Sequence, residues 1–138
     1  MHLQVRALKL ENPPYDFAAA FRSLAQDGAQ MLPVVSSPLF AESRVRLAKL
    51  AIDHRLPSMF IFKSYVEAGG LMTYSVHQAA MYRRTDAYVA RILKGATAAD
   101  LPIEQPTKFE FVINLTTARA LGVRFSDDLL SLADEVIE

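Results

Sequence analysis

The sequence contains no cysteine. That excludes disulfides, thiolate metal sites and cysteine nucleophiles, and it leaves the redox compartment unmarked. Neither sign of charge is in excess: 15 lysines and arginines face 15 aspartates and glutamates. The chain therefore exerts no long-range pull on nucleic acid or on an acidic membrane surface. No apolar run approaches the roughly 20 residues needed to span a bilayer. Met1-His2-Leu3-Gln4-Val5-Arg6 has no basic stretch leading into an apolar one, so no secretory signal is expected there, and the chain expressed as given is expected to stay in the cytoplasm.

Glycine is scarce as well, at five residues. Its single pair, Gly69-Gly70, follows Glu67 and opens no helix, so a phosphate-cradling loop is excluded and a turn before a strand is expected. No Gly-x-Ser-x-Gly elbow exists, and Ser36-Ser37 has no flanking glycine, which argues against a serine hydrolase. The three histidines, His2, His54 and His77, stand far apart, whereas helix-borne metal ligands recur at i, i+3 or i+4. No metal, cofactor or catalytic residue is expected. Thr117 to Val123 resembles the first helix and turn of a helix-turn-helix. The following segment offers Asp127, Asp128, Asp134 and Glu135 without a lysine or arginine, and repulsion from phosphates defeats a DNA-binding role.

What is present is a chain of 138 residues, 51% hydrophobic, enough for one well-cored domain. Leu3 to Leu10 alternates apolar and polar residues and predicts a strand ended by Asn12-Pro13-Pro14. Phe17, Phe21, Leu24 and Ala25 recur at helical spacing behind a candidate cap, Asp16, with Gly28 as the stop. Ala29 to Val35 is a buried strand in which Pro33 signals an edge position or a bulge. A second helix carries Val45, Ala48, Leu50, Ala51 and Ile52. Strands follow at Ser58–Phe62 and Leu71–Ser75, separated by a loop or single helical turn. Residues 3 to 75 thus read β-α-β-α-β-β, the rhythm of a parallel sheet covered by helices. After that come a longer helix at 77–94, a linker at 96–106, a strand at 109–113, a short helix at 116–121 and a helical tail from Ser126.

In open α/β sheets, ligands bind at the C-terminal ends of the parallel strands. The predicted loops there carry Tyr15, Ser36, Ser37, Phe40, Ser64, Tyr65, Tyr74 and Ser75. Aromatics and hydroxyls together suit stacking plus a few hydrogen bonds to a small organic ligand. Serines and tyrosines also close turns and cap helices, and the residues by themselves leave both roles open.

Longer runs carry a resemblance. His54-Arg55-Leu56-Pro57, Glu67 to Tyr74, Tyr82-Arg83-Arg84, Ile92 to Ala96, Ala99 to Pro102, Glu104 to Glu110, Val112 to Leu115, Ala118 to Gly122 and Ala133 to Glu138 resemble, in order and spacing, the substrate-binding proteins of ABC transporters. The better-understood members include tryptophan- and phenylalanine-type binders. The resemblance implies a type I periplasmic-binding fold: two Rossmann-like lobes that close on a ligand. It implies an α/β, Rossmann-like three-layer lobe with a mostly parallel sheet over residues 1–76. It also implies helices, hinge crossings and a strand over residues 77–138 that return to the first lobe. The implied partners are a small-molecule ligand such as an amino acid or aromatic acid and, for the full-length parent, an ABC permease, with a periplasmic location. The resemblance covers the C-terminal half of such a protein. The alternative expectation is a truncated remnant acting only as a structural homodimer, its C-terminal segment exchanged between copies.

Overall fold

The computed structural model describes residues 4–10, 13–35 and 37–138. The first helix, α1 (Phe17–Gln26), starts where Asp16 accepts a hydrogen bond from the Ala19 amide at 2.9 Å. Phe17 and Phe21, one turn apart, are buried. Gly28 follows the helix at φ 71°, a conformation that suits glycine. Strand β1 (Leu32–Val34) leads to α2 (Pro38–Glu42), which has proline in its first turn, where no amide hydrogen is needed. Ser43 separates α2 from α3 (Arg44–Asp53), whose buried face is Leu47, Ala48 and Ala51. Then come β2 (Ser58–Phe60), α4 (Lys63–Glu67) and β3 (Met72–Val76). The chain continues as α5 (Gln78–Leu93), a 3-10 turn at Ala98–Asp100 and β4 (Phe109–Asn114). It ends with α6 (Leu115–Leu121), α7 (Asp127–Ser131) and β5 (Glu135–Ile137).

The five strands form one sheet in the order β1-β2-β3-β4-β5. β1, β2 and β3 run parallel, β4 pairs with β3 antiparallel, and β5 lies parallel to β4. The sheet is therefore mostly parallel, as expected. Pro33 lies on β1, the edge strand, where its missing N–H costs no ladder bond.

Side chains alternate across the sheet. Val34 and Phe60 point to one face and join Phe17, Phe21, Leu47, Ala51, Leu56 and Tyr65 in the main core. Phe60 is fully out of water and stacks on Tyr65, ring centroids 5.0 Å apart. Complete burial of such a side chain contributes about 1.5–3 kcal/mol. Gly70 lets α4 approach this closely, because a Cβ there would lie 2.7 Å from the Phe60 ring and 2.8 Å from the Tyr65 carbonyl oxygen. Farther along the sheet, the Asn114 amide donates to the Val66 carbonyl at 3.2 Å. The Thr117 hydroxyl donates to the Gly69 carbonyl at 2.9 Å, tying α4 to the start of α6.

Several expectations need correction. Residues 4–10 are not in a strand. Alternation fits a pleat, but a strand exists only through its partner's hydrogen bonds, and this segment reaches none among the described residues; Val5 stays exposed, and Arg6 makes an ion pair with Asp27 at 2.7 Å. Between β2 and β3, where a loop or a single helical turn is expected, the turn is present as α4 and stands as expected. The helical tail stops at Ser131 and gives way to β5, anchored where the Phe111 amide donates to the Asp134 carboxylate at 2.8 Å. The segment after Thr107 pairs with β3 over five residues and joins the same sheet. By contrast α5 has no buried residue, and residues 77–108 form an arm that runs off the end of β3.

Candidate ligand-binding site

Because β1, β2 and β3 are parallel, their C-terminal ends meet along one rim. The chain leaves that rim at Val35, Ile61 and His77. The Ser37 side chain caps α2 by accepting from the Phe40 amide at 3.3 Å. That cap turns Phe40 toward Tyr15, edge-on with centroids 5.8 Å apart, and toward Phe17 at 5.5 Å. Beside this aromatic triangle lies a hollow of about 190 Å³, bordered by Pro14, Tyr15, Phe17, Leu39, Glu42 and Arg46. The Arg46 guanidinium sits 5.7 Å from the Phe17 ring centre, a cation–π contact. One wall of the hollow is thus aromatic, and a carboxylate from the end of α2, Glu42, and a guanidinium from α3, Arg46, also line it. Such a surface can stack on a flat ring and pair with opposite charges on one small molecule. Its volume is below the roughly 300–1,000 Å³ of a complete small-molecule site.

The sequence-predicted residues divide into groups. Tyr15, Ser37 and Phe40 come together at the rim. Ser36 lies outside the described residues. Ser64 is exposed on the first turn of α4. Tyr65 is not available to a ligand: it is 1% exposed and belongs to the core. Its position in the chain, one turn into α4, turns it inward onto Phe60. Tyr74 and Ser75 point to opposite faces of β3. Tyr74 stacks flat on Phe109 at 5.7 Å, while the Ser75 hydroxyl meets no partner among the described residues. Phe17, Glu42 and Arg46 were missed. Phe17 reads as one member of a helical stripe, and the other two read as ordinary surface charges on a helix.

Lys63 bridges this rim to the last strand. Its ammonium donates to Glu135 at 2.5 Å and lies 3.6 Å from Glu67. The hydrogen bond from Lys63 to Glu135 raises its pKa above the ordinary lysine value, burial opposes this, and Glu67 and Glu110 add to it. Among the described residues no group of three histidine, aspartate or glutamate side chains could hold a metal ion. No helix among them is long and apolar enough to cross a membrane.

A larger groove of about 870 Å³ runs beneath α5, lined by Val76, Met81, Tyr88, Ile92, Leu101 and Ile103 among others. Arg84 donates to Glu104, and the Tyr88 hydroxyl donates to the Pro102 carbonyl at 2.5 Å, so the arm is braced against itself. The hydrogen bond from Arg84 holds the Glu104 carboxyl below its usual range, burial opposing. A depressed carboxyl contributes above its unfolded pKa and loses that contribution as pH falls through its folded one. The brace is therefore expected to fail in acid, below the ordinary carboxylate range, with faster amide exchange in residues 84–104 than at neutral pH. Equal exchange at both pH values, after correction for intrinsic rates, would rule this out.

The comparisons with known proteins agree with this fold. No curated protein matches the chain. Among solved structures, a conserved domain protein from Vibrio cholerae O1 biovar El Tor superposes with a TM-score of 0.79 at 23% identity, over 88% of this chain and 40% of that one. An ABC domain in complex with L-Trp from Streptococcus pneumoniae gives 0.78 at 23% identity, over 88% and 42%. A ligand-free, open substrate-binding protein with adhesive properties from Clostridium difficile gives 0.63 at 21% identity, over 87% and 40%. At these identities the likeness shows the fold, and the chain spans about two-fifths of the length of each of these structures. The profile described as ABC transporter substrate binding protein matches residues 2–137, and the chain belongs to that family.

Proposed function

We propose that this chain is one lobe of the solute-binding component of an ABC-type importer, taking a small organic ligand such as an amino acid or aromatic acid against its rim. The observation that carries the reading is the family match across residues 2–137, on a sheet whose parallel strands end at an aromatic hollow. The tryptophan bound in the streptococcal relative supports the ligand class. Tyr15 and Phe17 form the aromatic wall of the hollow, with Phe40 packed edge-on against both rings, Ser43 supplies a hydroxyl, and Arg46 a charge for a carboxylate. The hollow is then one wall of a cleft whose other wall belongs to a second lobe. Tyr74-Ser75 and Glu104 to Lys108 act as hinge crossings, and the arm at 77–108 lies against that second lobe. The closed, loaded protein presents its ligand to a membrane permease from the periplasmic side.

A thermal-shift screen against aromatic amino acids and small aromatic acids tests the reading. A ligand at a hundredfold its dissociation constant adds about 2.7 kcal/mol of stability. Arg46 is exposed, so Arg46→Gln leaves the core intact and is expected to abolish the shift given by ligands with a carboxylate. A screen in which no compound moves the midpoint would overturn the proposal for this chain.

A further inference from the structure

We infer that His77 is a proton-operated catch that holds the arm of residues 77–108 to the end of the sheet. The arm begins at His77, just after β3, and ends at Lys108, just before β4. Val76 and Phe109 form the last pair of those strands, and one step beyond them the His77 amide donates to the Lys108 carbonyl at 3.0 Å. His77 is also the N-cap of α5: its ring Nδ1 accepts from the Ala80 amide at 3.2 Å. The same amide reaches the His77 carbonyl at 3.0 Å, so the ring is one branch of a forked bond. One half-buried residue thus ties the two crossings together and fixes where the helix begins. The rest of α5 adds little hold on the sheet. It has 16 residues, none of them buried, and is about 24 Å long. The bonds made by Arg84 and Tyr88 end at Glu104, Thr107 and Pro102, inside the arm itself.

A cap built on a ring nitrogen differs from one built on a hydroxyl or an amide. Serine and asparagine side chains accept at any ordinary pH, whereas Nδ1 accepts only while the imidazole is neutral. Imidazole is the side chain that ordinarily changes charge between about pH 5 and 8. A proton on Nδ1 turns the acceptor into a donor that faces the Ala80 donor. It also sets a positive charge at the positive end of the helix dipole. The charges around this corner do not offset it. Lys108 adjoins it where the chain returns, Arg83 and Arg84 follow on the next turn of α5, and that helix has no acid in its first turn. Among the carboxylates, Glu104 is held by Arg84, and Glu110 of β4 acts on Lys63 at the start of α4. Asp86 lies more than two turns along α5. The neutral ring therefore holds the start of α5, and the charged ring releases it as pH falls. On the reading that this arm lies against a second lobe, the same proton loosens the closed cleft; that use alone rests on the reading.

Amide exchange measured by NMR on the whole chain, corrected for intrinsic rates, reads the catch without any ligand. Between pH 8 and pH 5.5, still above the ordinary carboxylate range, exchange at residues 80–82 is expected to rise about threefold, since one branch of the fork survives. His77→Asn keeps an acceptor at both pH values and is expected to hold the slow rate throughout. His77→Ala lacks the acceptor and is expected to show the fast rate already at pH 8, with no further rise. Far-UV circular dichroism checks that both variants fold. Equal exchange at both pH values in the unaltered chain overturns the inference. So does a pH response that survives in His77→Asn, or slow exchange at pH 8 in His77→Ala. A ligand screen without a hit leaves all of these outcomes untouched.

Discussion

Phe60→Ala is expected to remove about 4 kcal/mol of stability, within the roughly 3–5 kcal/mol typical of a fully buried phenylalanine cut to alanine. The side chain has no exposed surface, lies on β2 between its neighbours, and stacks on Tyr65. Truncation loses its transfer energy and leaves a void bounded by rigid backbone, since Gly70 sits against the same ring. A chain of this size has about 5–15 kcal/mol in total. The thermal midpoint is therefore expected to fall by about 12–16 °C, at a few degrees per kcal/mol. Phe60→Leu fills most of the void and is expected to cost less than half as much. Urea denaturation followed by circular dichroism measures both. A loss under about 1 kcal/mol for Phe60→Ala would mean that the ring does not hold α4 to the sheet. The consequence reaches the rim, because α4 carries Lys63 and Ser64 and starts where β2 ends.

The second large effect is expected at Asn114. Its side chain works twice: it accepts from the Thr117 amide at 2.9 Å, capping α6, and it donates to the buried Val66 carbonyl at 3.2 Å. Asn114→Ala removes the cap, worth about 1 kcal/mol. It also strands the Val66 carbonyl away from water, at about 1–3 kcal/mol. The sum is about 3 kcal/mol. Asn114→Asp keeps the acceptor at the helix start but sets a carboxylate oxygen against the Val66 carbonyl. It is expected to recover less than half of the loss at neutral pH. Full recovery by aspartate would show that the cap alone matters and that the bond to Val66 contributes nothing. The same residue ties α4 to β4, so its loss is expected to raise amide exchange at Val66 and Tyr65 together.

Much of the architecture was legible because local rules and tertiary demands agree. Asp16 before Phe17 and Phe21 announces α1, and Ser126 before Asp127 and Asp128 announces α7; both side chains cap as expected. Pro33 marked β1 as an edge for a covalent reason, its missing donor. Gly69-Gly70 read as a turn before a strand, and the φ of 104° at Gly69 agrees. Where the reading failed, the local signal was weak or its meaning lay elsewhere in the chain. Glu135–Ile137 is three residues long, too short for a period, and becomes a strand because β4 lies beside it. Residues 4–10 show the converse: a good alternating pattern with no neighbour to pair with.

The candidate site was only half visible for the same reason. Tyr15 and Phe40 meet because the cap at Ser37 and the start of α1 bring two distant loops together, which spacing along the chain does not encode. Tyr65 was drawn into the predicted site by its residue type, and the turn of α4 placed it in the core. The sequence by itself pointed to the family, to much of the alternation of helices and strands, and to the lack of any disulfide. These follow from residue identity and order. Only the tertiary structure decided which aromatics share a wall and that β4 and β5 complete the sheet. Each of those depends on contacts between residues far apart in sequence.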